Sequence, residues 1–101
     1  MPTEEGRLDL SLDVDGALVL VGEIDSYTAP QLAERLADDP PVDTLDLAGV
    51  SFIDSSGLRV LVEAHQARVD RGARLALRAP SAAVQRLLEI SGLAGHLDVT
   101  S

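Results

Sequence analysis

A chain of 101 residues, 46% hydrophobic and 25% charged, has room for one globular domain, and its balance is that of a folded protein. Its net charge of −9, with all eight positive charges on arginine and none on lysine, disfavours direct contact with DNA, RNA or anionic lipid heads. The absence of cysteine excludes disulfides, thiol catalysis and thiolate–metal sites, and with only Tyr27 and Phe52 aromatic the core must be aliphatic.

The first residues, Met1 to Arg7, are polar and acidic, unlike the basic and then apolar start of a signal peptide. No apolar run approaches the roughly 18 residues that span a bilayer. The expectation is a cytoplasmic domain over residues 1–101, with 1–6 and 100–101 frayed.

Leu8, Leu10, Leu12 and Val14 alternate with polar residues, the period of a strand with one buried face. Asp15-Gly16 suits a tight hairpin turn, and the continuous apolar run Ala17 to Val21 reads as the return strand, covered on both faces. After Gly22-Glu23-Ile24-Asp25-Ser26 breaks the pattern, Thr28 and Gln31 propose a capping box, with Pro30 in the first turn. Tyr27 and Leu32 are placed for a hydrophobic staple, Leu32, Ala33 and Leu36 for the buried stripe, and Asp38-Asp39-Pro40-Pro41 for the stop.

Val42 to Ala48 reads as a strand, and Gly49 to Ile53 as a loop leading to Asp54-Ser55-Ser56-Gly57. From there Leu58, Leu61, Val62, His65 and Val69 recur at helical spacing until Gly72. Arg74 to Arg78 is a further strand, Ser81 caps a third helix that ends at Gly92, and His96 to Val99 is a last short strand. No internal repeat, linker or low-complexity segment stands out. The order β-β-α-β-α-β-α-β predicts an α/β fold: a mixed sheet of four to five strands, opened by an antiparallel hairpin and continued by parallel β-α-β crossovers, with the helices on one face.

Asp54-Ser55-Ser56-Gly57 is where the sequence offers chemistry. An acid and two hydroxyls stand at the carboxyl end of a strand and loop, where a helix begins, and ligands of open α/β sheets bind at such ends. The first helical turn favours an anion such as a phosphate, and Gly57 would allow a close approach. Plain N-capping by Asp54 and the serines accounts for the same residues equally simply. Arg59, four residues after Ser55, is placed to meet a phosphate there or to pair with Glu63.

His65 lies on an apolar stripe, and the only other histidine is His96, so a metal site lacks ligands and a packed histidine is the simpler account. A hydrolase built on Ser55, His65 and Asp54 lacks a Gly-x-Ser-x-Gly elbow. No Walker A loop or dinucleotide fingerprint is present. Neither a catalytic residue nor a cofactor is expected.

The stretch Leu45-Asp46-Leu47-Ala48-Gly49-Val50-Ser51-Phe52-Ile53-Asp54-Ser55-Ser56-Gly57-Leu58 resembles the signature of the STAS-domain anti-sigma factor antagonists. Gly22-Glu23-Ile24-Asp25 resembles that family's Gly-Glu-Leu-Asp segment, and Ser81 to Leu93 resembles its third helix with the Ser-Gly-Leu ending. Ala82 departs from it, standing where a proline often follows the helix's serine. The resemblance implies a non-enzymatic phospho-switch that binds an anti-sigma factor with serine-kinase activity and is released by phosphorylation. It implies Ser55 as the acceptor, with Ser56 the alternative, and Asp54 as the residue that positions the hydroxyl. It also places Asp25 near the same surface, where the residue could equally be a plain loop or cap. Asp25, Asp54, Ser56, Gly57 and Arg59 then form the switch surface, and a phosphatase is a further possible partner. The other reading is a STAS-like adaptor without phosphorylation, docked on a lipid-transport ATPase or a stress-signalling assembly.

Overall fold

The computed structural model describes residues 7–38 and 42–100. Residues 1–6 and 101 of the expected frayed ends, and Asp39-Pro40-Pro41 of the expected helix stop, lie outside the described residues. The elements run β1 (Leu8–Leu12), β2 (Leu18–Ile24), α1 (Ala29–Leu36), β3 (Thr44–Ile53), α2 (Ser55–Val69), β4 (Ala76–Arg78), α3 (Ala82–Ser91), a 3-10 turn (Ala94–His96) and β5 (Asp98–Thr100). Thr100, left with the frayed end by the sequence, pairs with Arg78 as the last residue of β5.

The five strands stand in sequence order, β1 antiparallel to β2 and every later pair parallel. Each parallel connection moves one strand in the same direction. Right-handed crossovers therefore place α1, α2 and α3 on a single face, as the sequence predicts. The core between helices and sheet is aliphatic throughout: Leu18, Leu20, Ile24, Leu32, Leu45, Leu47, Leu61, Leu75 and Leu77 are fully buried.

Among the described residues no layer covers the opposite face of the sheet, which corrects the expectation for β2. Leu18, Leu20 and Ile24 face the helices, whereas Val19 is only half-buried and Val21 is 48% exposed. A continuous apolar run here marks a strand greasy on both sides, not one covered on both. Leu12 and Val14, at and beyond the end of β1, are exposed as well.

The hairpin turn is larger than a two-residue loop. Gly16 N–H donates to Asp13 C=O (3.1 Å), Asp13 N–H donates to Ala17 C=O (3.0 Å), and Gly16 takes φ +86°. Asp13 Oδ1 accepts from the N–H groups of Asp15 and Ala17 (2.9 and 3.0 Å). Its Oδ2 receives Arg78 Nη2 at 2.8 Å, and the same nitrogen donates to Asp46 Oδ2 at 3.0 Å. One guanidinium thus ties the turn to the uncovered face across β3 and β4.

The strand β3 is ten residues long and runs through the predicted loop to Ile53. Its buried residues Leu45, Leu47, Val50 and Ile53 are spaced two, three and three apart. Bulges between Val19 and Val21 and between Gly22 and Glu23 cause this change of phase.

On α2 the inner stripe is Leu58 and Leu61, with His65 half-buried, and it ends on Arg68 rather than on Val69, which is 45% exposed. Arg68 is 4% exposed and forms no ion pair among the described residues. Its Nε and Nη2 donate to Val42 C=O (3.1 and 2.8 Å), Nη2 also to Leu36 C=O (3.2 Å), and Nη1 to Ala64 C=O (3.3 Å). Burial presses its pKa downward. The carbonyls at the end of α1 and the entry to β3 supply the compensating negative dipoles.

Arg68→Met should lower the unfolding free energy measured in urea by about 1–3 kcal/mol, because two inward carbonyls lose their donors; an unchanged midpoint would show that water replaces the guanidinium. The Arg78 guanidinium holds the Asp13 carboxyl below its ordinary value of 3.8. A depressed carboxyl stabilises fully above its unfolded-state value and loses that contribution as pH falls through the folded one. The stability gap between the parent chain and Asp13→Asn should therefore narrow as pH drops below about 4. A gap that is constant from pH 6 to pH 2.5 would contradict this account.

Candidate functional site

The adjacent parallel strands β2 and β3 end side by side, with Ile24 and Ile53 as register partners and both side chains buried. Beyond them each chain makes the same turn. Asp54 is the N-cap of α2, with extended backbone (φ −118°, ψ −172°), and its Oδ1 accepts from Ser56 N–H (2.9 Å) and Gly57 N–H (3.2 Å). Its carbonyl accepts from Leu58 N–H at 3.0 Å. Asp25 repeats this arrangement: its Oδ1 accepts from Tyr27 N–H and Thr28 N–H, both at 2.9 Å, and its carbonyl accepts from Ala29 N–H at 2.7 Å. A hydrogen bond from Asp54 N–H to Ile24 C=O (3.1 Å) joins the two turns.

Asp25 therefore caps the turn that leads into α1, and Thr28, at the N-cap position of the helix, makes no side-chain cap bond. The Thr28 hydroxyl is buried and points back, donating to Glu23 C=O (2.8 Å) and accepting from Asp25 N–H (3.0 Å). Gln31 donates to Leu8 C=O (3.0 Å) instead of closing a capping box. Tyr27 is 69% exposed, so no staple forms over Leu32.

Ser55 is exposed at the first position of α2, held between the buried Ile53 and Leu58, while Ser56 is half-buried. Gly57 does not leave room for a visiting molecule, as the sequence suggests. It is buried, and a Cβ there would stand 2.6 Å from Ile24 Cγ2 and 2.9 Å from Ile24 C=O. Its bare Cα is what lets α2 start against β2.

Arg59 is exposed and, among the described residues, forms no ion pair with Glu63 or any other acid. It lines a groove of about 490 Å3 together with Ser55, Ser56 and Ser26. Asp25 and Asp54, each one residue before one of these serines, are spent on backbone N–H groups through Oδ1.

Sequence reasoning missed Ser26, which stands after Asp25 as Ser55 stands after Asp54. The signal was present as the tripeptide Ile-Asp-Ser at 24–26 and again at 53–55, too short to register as a repeat. Among the described residues there is no group of three metal-ligating side chains. No described helix is long and apolar enough to cross a membrane.

The family model described as the Mlab STAS domain matches residues 8–99. The anti-sigma-B factor antagonist of Listeria monocytogenes is 37% identical over 86 residues, covering 81% of this chain and 75% of that protein. The anti-sigma-B factor antagonist of Bacillus subtilis is 35% identical over 85 residues, covering 81% and 78%. In fold, the chain is similar to the anti-sigma factor antagonist SpoIIAA in its unphosphorylated form. That match has a TM-score of 0.69 and 22% identity, over 94% of this chain and 89% of that one.

Gly57→Ala should reduce the thermal midpoint by several degrees, equivalent to about 1–3 kcal/mol, because the added methyl meets backbone as well as the Ile24 side chain. A variant as stable as the parent would mean that α2 can slide off β2 at little cost.

Proposed function

The chain belongs to the STAS-domain family of anti-sigma factor antagonists, and from that membership we propose a non-enzymatic interaction switch. Unmodified, it binds an anti-sigma factor that is also a serine kinase and so frees a sigma factor; phosphorylated on Ser55, it lets go. The observation that carries this reading is the exposed Ser55 hydroxyl, presented on a rigid turn that Asp54 caps and that buried Ile53 and Leu58 anchor on either side.

In the transfer, Ser55 Oγ attacks the γ-phosphorus of the kinase's ATP. The Oγ–P bond forms, the bridging bond to ADP breaks, and the hydroxyl proton passes to a base of the kinase. Asp54 positions the hydroxyl through the turn it caps rather than serving as that base. Ser56, half-buried, is the alternative acceptor. Asp25, Asp54, Ser56 and Arg59 complete the switch surface; Gly57 supports it from beneath. The neighbour SpoIIAA, described in its unphosphorylated form, supports a modifiable state in this fold.

Phosphorylation adds about −1.5 to −2 charges at neutral pH. On a chain already at −9 the partner has to be one with a basic or neutral docking face. Placing the dianion in an interface fitted to a neutral hydroxyl then needs to cost only about 3–4 kcal/mol to change affinity by two to three decades. The module acts in the cytoplasm, and a phosphatase returns it to the binding form.

One observation favours a second reading. The matching family model is that of the Mlab STAS domain, and on this reading the chain is an adaptor subunit of another assembly, such as a lipid-transport ATPase, with no phosphoryl transfer.

The test is incubation with the candidate anti-sigma factor and ATP, mass mapping of the product, and affinities for the parent, Ser55→Ala and Ser55→Asp. Modification at Ser55, retained binding by Ser55→Ala and at least about 100-fold weaker binding by Ser55→Asp are expected. Equal affinity of Ser55→Asp and parent would end the switch reading.

A further inference from the structure

The groove between the two capping turns gathers three hydroxyls and a cation, with no acidic side chain in its lining. Ser26 reaches it from the turn after β2, Ser55 and Ser56 from the first turn of α2, and Arg59 from one turn further along. Ser55 and Arg59 are four residues apart and so share one face of the helix. The arginines that enter ion pairs, Arg35, Arg74 and Arg78, are engaged by Asp38, Asp98 and the Asp13–Asp46 pair, and Arg68 is enclosed by carbonyls. Arg59 alone lines this groove as a cation, with no acid paired to it among the described residues.

The start of α2 offers an anion little by itself. The N–H groups of Ser56 and Gly57 already donate to Asp54 Oδ1. The Asp25 and Asp54 carboxylates of the two caps, each one residue before a serine of the groove, repel a dianion. A phosphoryl group on Ser55 therefore needs side-chain donors, and the groove supplies them.

We propose that this groove is the seat of the phosphoryl group on Ser55, with the Arg59 guanidinium and the Ser26 hydroxyl as its ligands. The inference rests on Ser55 being the acceptor and adds what holds the product. Arg59 offsets the added charge and donates through its guanidinium, and the Ser26 hydroxyl donates from the neighbouring turn. The modified serine is thereby held against the protein's own surface, and Ser26 acquires a part in the switch that the family motif does not give it.

The test uses the full chain with phosphoserine placed at position 55 during translation, so that neither kinase nor partner enters. The probe is the 31P resonance followed through a pH titration. A phosphoserine monoester loses its second proton near pH 6, and a neighbouring cation moves that step to lower pH. In Arg59→Gln the midpoint should rise by about half a unit or more, roughly a threefold change in proton affinity, with a smaller rise in Ser26→Ala. Asp25 and Asp54 are the same across the set, so their repulsion cancels in the comparison. Thermal midpoints of the unphosphorylated variants, both altered at exposed side chains, should match the parent and exclude misfolding as the cause. Equal 31P midpoints in all three chains would overturn the cradle, and a rise in Arg59→Gln alone would remove Ser26 from it. Either result leaves the kinase assay on Ser55 to succeed or fail by itself.

Discussion

The hydrogen bond from Asp54 N–H to Ile24 C=O is the last rung between β2 and β3, and the geometry of the site hangs on it. On the far side of that rung both strands become helical turns, each opened by an aspartate that turns its carboxylate onto the next backbone N–H groups. Neighbouring strands lie about 4.8 Å apart, so two such turns end up shoulder to shoulder and their serines meet in one groove. Gly57 is the steric condition for this arrangement, because any side chain there would push α2 away from Ile24.

That meeting depends on the bulges. Between paired positions β2 advances six residues, from Leu18 to Ile24, while β3 advances eight, from Leu45 to Ile53. Two residues of β3 are therefore absorbed without lengthening the ladder, and the ends coincide. Gly49 makes one of these adjustments possible, since a Cβ there would stand 3.0 Å from the Val21 side chain and 3.1 Å from Leu20 C=O. The irregularity of β3 is what aligns Ser55 with Ser26.

The same irregularity limited what could be read in advance. Strand–helix order, the mixed sheet and the single helical layer were legible because Leu45 and Leu47, Leu58 and Leu61, and Val84 and Leu88 keep clean periods. From Gly49 to Ile53 the buried positions slip by one residue at each bulge, so a strand looked like a loop. Asp54 and Ser55 were legible as a cap and a presented hydroxyl. Arg68 was not, since a charged residue at the end of an apolar stripe reads as solvated until Val42 and Leu36 are seen to turn their carbonyls toward it. Thr28 misled for a related reason: a threonine before a proline-containing turn satisfies the capping pattern, but its hydroxyl turns back to Glu23 C=O while Asp25 caps the preceding turn.

These constraints also bear on where a switch can act. The helix α2 is fastened at both ends, by the Asp54 cap and the Gly57 contact at its start and by the Arg68 bonds to Val42 and Leu36 at its finish. A charge added at Ser55 falls on a turn with little freedom to move, above a core of tightly packed aliphatic side chains. On the proposed reading little of its free energy goes into remodelling the fold, and what Arg59 does not offset acts on the docked partner. Tyr27 and Phe52, the chain's only aromatic residues, fit this division of labour. Both are substantially exposed and stand within two residues of Asp25 and Asp54, while the core does without any aromatic side chain. Aromatic side chains left outside a core are better suited to anchoring a partner than to holding the domain together.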